Sequence, residues 1–298
     1  MFLGKIYIDK FGIEELFFYE MKGQIVKKKI FKIIRVVVIV FLVVYIVIGL
    51  LQNDLTVSKY AYTGTRLPKE FDGFTIVLIS DLHHNNFGNN QSELIEEIEK
   101  ANPDMIALTG DIVDENHKSL ESVENLLAGV VSLAPTYYVT GNHELLEDAV
   151  TQYGDLKEML DSYGVVQLEN EGVEVKQGDA SINIYGVGFA DEYVENILPY
   201  ANEGEFDILL YHSSNVFGKI NKYGYDIVLS GHLHGGGIRL PFVGGVINND
   251  GSLFPKYDAG VFVENESTLF VSRGLGDSVV PRFYNPPELV VITLESEN

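Results

Sequence analysis

Five short apolar runs in this sequence end abruptly in aspartate, asparagine or histidine. The run 105–108 is interrupted by Thr109-Gly110, and Asp111 follows at once. A buried strand that stops at glycine and is followed by a carboxylate places that carboxylate at the carboxyl edge of a sheet, where open α/β sheets bind ligands. The other four runs are 74–80 before Asp81-Leu82-His83, 137–139 before Thr140-Gly141-Asn142-His143-Glu144, 208–211 before His212, and 227–229 before Ser230-Gly231-His232-Leu233-His234.

The segments between these runs have the apolar spacing of helices, as Leu94, Ile95 and Ile98 illustrate. Helices are predicted over 91–100, 120–131 and 156–163. Further short strands are predicted over 166–168, 173–176, 182–185, 260–263, 269–272 and 289–294. An α/β half followed by a strand-rich half predicts two sheets packed together, with helices outside them.

The N-terminal part contains an unbroken apolar run over 36–51, which Ile33-Ile34 extends across Arg35. A helix needs ~20 apolar residues to cross a bilayer, so this run is just long enough. Lysines precede the run and Gln52-Asn53-Asp54 follows it. This charge bias predicts a cytoplasmic N-terminus and places everything after Leu51 outside the cytoplasmic membrane.

A cleaved signal peptide is the competing interpretation of this run. Such a peptide has an apolar stretch of about 7–15 residues and a small-residue cleavage site, whereas this run is longer and no such site follows it closely. We therefore predict an uncleaved anchor, with translation starting at either Met1 or Met21. The predicted organisation is a cytoplasmic segment 1–32, an anchor 33–51, a linker with an edge strand 52–70, and a domain 71–298.

The charge of the chain narrows the choice of partners. The formal net charge is −22, and residues 52–298 carry 39 acidic against 13 basic side chains. A surface of this kind repels polyanions, so nucleic acid is excluded as a partner. The chain has no cysteine, which excludes disulfides and thiolate metal ligands.

The residue types at the five strand ends predict a metal site. Carboxylate, amide and imidazole ligands without sulfur suit Mn, Fe, Zn or Mg. Two divalent ions ~3.5–4 Å apart can stabilise both the attacking and the leaving oxygen of a displacement at phosphorus. A pair of ions that close needs a shared ligand, and a carboxylate can serve.

The order and spacing of these residues resemble the calcineurin-like metallophosphoesterases, in particular their membrane-anchored bacterial members. The resemblance covers about residues 56–298 and implies a four-layer αββα sandwich. The residues that carry it are Asp81-x-His83, Gly110-Asp111-x-x-Asp114, Gly141-Asn142-His143-Glu144, His212 and Gly231-His232-x-His234.

The resemblance also implies a role for each residue. The first divalent metal ion would be held by Asp81, His83 and His234, and the second by Asn142, His212 and His232. Asp111 would bind both ions. His143 would stand beside the substrate, and Asp114 would orient its imidazole.

Other polar residues lie outside this pattern. Arg273 and Arg282 are candidate phosphate clamps, because a guanidinium fork matches phosphate oxygens, and an ordinary surface role is the alternative. His84 and His117 are interpreted as exposed polar residues, with contact to substrate as the alternative for His84. Any single strand-end aspartate could also be a turn former or a helix cap.

The function predicted is hydrolysis of a phosphomonoester, phosphodiester or pyrophosphate at a dinuclear metal site outside the membrane. The short linker 52–70 favours a lipid-linked or envelope phosphate as substrate over a freely diffusing one. The alternative is a membrane-tethered binding or scaffold module that keeps the fold without turnover. The sequence leaves open the ester class, the native metal pair and the oligomeric state.

Overall fold

The chain divides into two compact units, Met1–Leu51 and Gln52–Asn298. The structure is a computed structural model, and the side chains of 10–23, 25 and 150–152 lie outside its description. It describes residues 10–52, 54–114, 117–146, 150–190, 193–248, 251–276 and 280–297.

The first unit contains one long helix, α1, over Lys10–Leu51. Among the described residues, only the part Val26–Leu51 of this helix is long and apolar enough to cross a membrane. The predicted anchor 33–51 lies inside this part. The described helix extends well N-terminal to the apolar run. Residues 1–9 of the predicted cytoplasmic segment lie outside the described residues.

The second unit contains a six-stranded sheet with the strand order β1-β14-β2-β3-β4-β5. Strands β2, β3, β4 and β5 pair in parallel, β14 runs antiparallel to β2, and β1 runs parallel to β14. The strands are β1 Thr56–Gly64, β2 Thr75–Ile79, β3 Met105–Leu108, β4 Thr136–Tyr138, β5 Val166–Gln167 and β14 Glu288–Ser296.

A second six-stranded sheet has the order β12-β13-β9-β8-β7-β6, and its strands β7, β8, β9 and β13 are parallel. A small two-stranded sheet joins β10 to β11. The strands are β6 Glu171–Gln177, β7 Ala180–Val187, β8 Asp207–Ser213, β9 Ile227–Gly231, β10 Ile238–Leu240, β11 Gly244–Ile247, β12 Gly260–Glu264 and β13 Ser267–Val271.

Alternating side chains of the strands pack into different cores, as the two-residue period of a strand requires. In β2, Ile76 and Leu78 pack between the two sheets, whereas Val77 and Ile79 face the helices on the other side. In β8, Leu210 packs between the sheets and Leu209 faces the outer helices of the second sheet. Three apolar cores between four layers result, so the predicted αββα sandwich is confirmed.

The helices predicted over 91–100 and 120–131 are present within one residue of their predicted bounds. The helix predicted over 156–163 is Val150–Ser162, which begins six residues before the predicted start and, as predicted, ends just before Gly164. Two short helices were not predicted. The helices of the second unit are α2 Ser92–Ala101, α3 Glu121–Val130, α4 Val150–Ser162, α5 Val194–Ile197 and α6 Phe217–Ile220.

The predicted linker 52–70 is largely part of the second unit. Its strand β1 pairs with β14 along its whole length, from Thr56 opposite Glu288 to Gly64 opposite Ser296. Strand β1 also lies at the edge of its sheet, as predicted. The second compact unit begins at Gln52 and so includes the predicted linker together with the predicted domain 71–298.

Candidate metal centre

The carboxyl ends of both parallel sheets meet at one edge of the second unit, which we call the metal edge. Strands β2, β3 and β4 carry the predicted ligands Asp81, Asp111 and Asn142 beyond their ends, while His212 is the next-to-last residue of β8. The loop after β9 adds His232 and His234. The structure thus brings all seven predicted ligand residues together.

The three residues assigned to the first metal form one compact group. The Nε2 atoms of His83 and His234 are 3.2 Å apart, and their rings stack with centroids 5.0 Å apart. His234 Nε2 lies 3.4 Å from an Asp81 carboxylate oxygen. These three side chains offer ligand atoms that all lie within 4.8 Å of one another.

A second group surrounds His212. Its Nε2 atom lies 3.1 Å from Asn142 Oδ1 and 3.1 Å from His232 Nδ1. It also lies 3.1 Å from Asp111 Oδ2. Ligand atoms around one tetrahedral ion, at about 2.0–2.2 Å from it, are separated by a little over 3 Å, so this donor set fits a metal.

Asp111 is shared by the two groups. The carboxylate oxygen that contacts His212 is also 3.9 Å from His83 Nε2. Asp111 belongs to two of the possible metal-binding groups of the described residues, one with His212 and His232 and one with His83 and His143. Its position would suit a ligand common to two ions.

His143 lies at the open side of this centre. Its ring packs edge-on against His83 with centroids 4.6 Å apart, and its side chain is 25% exposed. Its Nε2 atom is 4.0 Å from Asp111 Oδ2, and its backbone N–H donates to Asp111 Oδ1 at 2.8 Å. His143 therefore lies near enough either to face a substrate or to join a metal.

The backbone at the metal edge is held in a rarely used conformation. Five of the seven assigned ligands have positive φ, which non-glycine residues adopt at a cost of about 1–3 kcal/mol each and which clusters at functional sites. They are Asp81, His83, Asp111, His232 and His234, with φ between 44° and 78°. At Gly141 a side chain is excluded, because a Cβ atom there would lie 2.2 Å from Asp111 Oδ1.

Burial and charge prepare the imidazoles for metal binding. Burial lowers the pKa of His83 to about 4 and holds the pKa of His234 well below its usual value, so both rings are neutral, as a metal ligand would need to be. Burial would also lower the pKa of His212, but the adjacent Asp111 carboxylate outweighs it and raises the pKa to about 10. A metal at His212 therefore displaces a proton.

Glu144, which belongs to the Gly141-Asn142-His143-Glu144 motif but had no predicted role, links two turns of the centre. Its fully buried carboxylate accepts hydrogen bonds from the N–H groups of Asp111 at 3.0 Å, Ile112 at 2.9 Å and Gly141 at 2.8 Å. It thus joins the turn that carries Asp111 to the turn that carries Asn142. Burial first, and then the charge of Asp111, raises the pKa of Glu144 to about 7.

Glu144→Gln is expected to weaken both the fold and metal binding. The amide keeps one acceptor oxygen and turns an NH₂ group towards backbone N–H donors, and each buried donor left without a partner costs about 1–3 kcal/mol. Thermal unfolding and elemental analysis should show a lower Tm and less bound metal. Glu158→Gln, on the exposed face of α4, is the matched control. An unchanged Tm with full metal content would contradict the role of Glu144.

The Asp114 carboxylate lies beside the centre, and its described hydrogen bonds are to His117. His117 Nδ1 lies 2.9 Å from both oxygens, and the backbone N–H of His117 donates to one of them at 3.0 Å. That Asp114 orients His143 stays a prediction. His117 is exposed, as predicted, with 63% of its side chain accessible.

The prediction that His84 is exposed is wrong. His84 is 7% accessible; it follows His83 in the same left-handed turn, and its ring centroid lies 5.5 Å from that of His117. The two imidazoles line a cavity of about 390 Å³ next to the metal edge.

The two predicted phosphate clamps have protein partners. Arg273 donates to Glu288 at 3.0 Å and to Thr56 at 3.0 Å. Arg282 is buried and donates to the carbonyl oxygens of Arg273, Gly274, Gly276 and Asn285. Both guanidinium groups hold the loop before β14, and this geometry disfavours a role in clamping phosphate.

Phe189 also reaches the second ligand group and was not predicted. Its ring centroid lies 5.9 Å from that of His212 and 6.0 Å from that of His232. It follows β7, a sixth strand that ends at the metal edge. The strand was predicted from its apolar residues, but an aromatic residue after it carries no sign of metal chemistry.

The chain belongs to the calcineurin-like phosphoesterase family, whose sequence model matches residues 74–236. This family uses two divalent metal ions, in agreement with the predicted cofactors. The match ends just after His234 and so includes every predicted metal ligand.

Three relatives show how much of the chain is shared. The uncharacterized metallophosphoesterase YkuE of Bacillus subtilis is 30% identical, over 81% of this chain and 86% of that protein. An uncharacterized metallophosphoesterase of Aquifex aeolicus is 30% identical, over 82% of this chain and 93% of that protein. A transmembrane protein with metallophosphoesterase domain from Bos taurus is 28% identical, over 84% of this chain and 60% of that protein.

Proposed function

We propose that this protein is a dinuclear metal-dependent phosphoesterase that hydrolyses a phosphomonoester, phosphodiester or pyrophosphate at the metal edge. One observation carries the proposal: a single buried carboxylate, Asp111, lies between two compact groups of imidazole, amide and carboxylate ligands. A site that only stabilised the fold would not need two adjacent groups that share a ligand and lie beside an accessible imidazole.

The residues of the metal edge have different roles in this reaction. When bound, two divalent ions supply positive charge for the attacking and leaving oxygens of a displacement at phosphorus. Asp111, anchored by Glu144, keeps the two ligand groups in register. His143 is the accessible imidazole next to them, and it donates a proton to the leaving oxygen. Asp114 keeps that imidazole in the required orientation.

The proposal is tested by turnover of a chromogenic phosphodiester by the purified full-length protein with added Mn²⁺. We expect activity that chelation removes and that Mn²⁺, Zn²⁺ or Mg²⁺ restores. The alternative, a membrane-tethered scaffold without turnover, predicts metal binding with no hydrolysis of any phosphoester. Phosphorylated lipids and nucleotides tested in parallel would define the substrate class.

We further propose that α1 anchors the protein with its N-terminus in the cytoplasm and residues 52–298 outside. The support is the basic flank of α1 and the length of its apolar part, Val26–Leu51. Protease added to intact spheroplasts is expected to digest the domain while the anchor stays in the membrane. Protection of the domain, or its release into the soluble fraction without residues 1–51, would contradict this topology.

A further inference from the structure

Two loops of the small β10–β11 sheet expose large apolar side chains. Phe242, between the two strands, is fully exposed, and Val243 beside it is 57% exposed. After β11 the chain turns back, and Leu253 and Phe254 are 63% and 62% exposed. We call these four residues the apolar loop cluster. Several large exposed apolar side chains carried by one small sheet point to a surface that contacts a membrane or another protein.

The small sheet is fixed to the metal edge. Arg239 in β10 donates to the carbonyl oxygen of Gly235, directly after the ligand His234, at 2.7 Å. The same guanidinium pairs with Asp258 at 2.7 Å, and Asp258 accepts the N–H of Gly245 in β11 at 2.6 Å. The apolar loop cluster is therefore carried by a sheet held next to the metals.

The first residue of β1 lies at the same edge. Strand β14 runs antiparallel to β2, and β1 runs parallel to β14, so the start of β1 lies where β2 ends before Asp81. Arg273 shows the proximity directly, because its guanidinium donates to Thr56 at 3.0 Å. The Cγ atom of Arg273 also packs closely on Gly235, because a Cβ atom added to this glycine would lie 2.8 Å from that Cγ atom.

Little chain separates this edge from the apolar helix. Helix α1 ends at Leu51 and β1 begins at Thr56. At most ~3.6 Å per residue, the intervening chain spans no more than roughly 18 Å. This limit depends on chain length and not on the position of helix α1. A bilayer that contains the helix therefore keeps Thr56, and the metal edge with it, close to its surface.

We propose that the metal edge faces the bilayer and that the apolar loop cluster enters its interfacial layer. The contact is apolar, because the acidic excess of residues 52–298 gives no attraction to anionic headgroups. The inference rests on the proposed anchor and phosphoesterase function, and it assigns the substrate class. The substrate is a phosphate carried by a membrane lipid, which reaches the metals at headgroup depth.

The absence of native cysteine allows a direct test by single-cysteine labelling. Phe242→Cys and Leu253→Cys carry an environment-sensitive fluorophore, and the full chain is reconstituted in phosphatidylcholine vesicles with a nitroxide on the lipid acyl chains. We expect both labels to shift to shorter wavelength and to lose most of their emission to the nitroxide. The matched control is Lys69→Cys, an exposed position in the 3₁₀ turn Lys69–Phe71 before the opposite end of β2.

Each outcome decides between the proposals. If the chain floats with the vesicles but the labels at 242 and 253 emit as in water, the lipid contact is wrong although the anchor stands. If the chain does not float, both the anchor and the lipid contact are wrong. Quenching at position 69 alone would show the reverse orientation. Turnover plays no part in this readout, so failure of the phosphoesterase proposal would be seen separately.

Discussion

Asp111→Asn is expected to remove metal-dependent phosphoesterase activity and to lower the content of both metals more than a change at any other single ligand. Among the seven assigned ligands, the family resemblance assigns only Asp111 to both ions. Its Oδ2 atom lies 3.1 Å from His212 Nε2 and 3.9 Å from His83 Nε2. The loss of a shared carboxylate affects both ligand groups at once. Metal charge stabilisation is worth several kcal/mol, so activity should fall by about three orders of magnitude or more.

The electrostatics of the residue support this expectation. Burial acts to raise the pKa of Asp111, but the adjacent His212, through its charge and its hydrogen bond, outweighs burial and holds the pKa below its usual value. The side chain is therefore a carboxylate at neutral pH. Asparagine keeps the shape and one acceptor oxygen for the backbone N–H of His143, but it has no negative charge with which to bind two cations.

Elemental analysis and turnover of a chromogenic phosphodiester would measure the effect. The matched control is Asp207→Asn, a buried carboxylate at the opposite end of β8 from His212, where it accepts hydrogen bonds from Asn202 and Asn183. The control is expected to keep its metals. Two bound equivalents and near-wild-type turnover in Asp111→Asn would overturn the dinuclear assignment.

The positions of the predicted ligands could be read from the sequence because they follow buried strands or, for His212, lie at the last residues of one. Strand β3 has the predicted bounds, Met105–Leu108, and its four residues are all buried. Because the apolar run stops at Thr109-Gly110, the next residue, Asp111, lies at the edge of the sheet. Parallel pairing then brings such ends together. The sandwich was predictable for a related reason, since alternation along β2 and β8 requires a core on each face.

Glu144 shows what the sequence could not reveal. Its partners include the N–H of Ile112, 32 residues away in sequence, and a backbone donor has no residue-type signature. The burial of His84 was missed for a similar reason. No apolar run surrounds that residue, and its environment is formed by a turn with positive φ and by the later residue His117. Contacts between loops depend on backbone geometry, which periodicity does not record.

The small β10–β11 sheet was not predicted either. Its strands Ile238–Leu240 and Gly244–Ile247 are short, the second contains two glycines, and most of their residues are only half-buried. A strand of this kind has neither a continuous apolar run nor a clear alternation. Its position depends on the ion pair between Arg239 and Asp258, two residues that are separated in sequence by β11.

His143→Ala is expected to keep both metals and the fold but to lose most of kcat. The imidazole stands at the open side of the centre, beside His83 and 4.0 Å from Asp111, where it can donate a proton to a leaving oxygen. General acid–base assistance of this kind contributes typically ~10²–10⁴-fold. Asp114→Asn is expected to show a milder form of the same defect.

The dependence on leaving group separates a proton donor from other roles of His143. A nitrophenolate leaves without protonation, whereas an alkoxide needs a proton, so His143→Ala should lose less kcat with nitrophenyl esters than with alkyl esters. An equal loss with both ester classes would replace the general-acid role by simple charge stabilisation. Loss of one metal equivalent would instead place His143 among the ligands, as its grouping with His83 and Asp111 permits. A change in stability with unaltered rate would leave it only the role of completing the turn after Asn142.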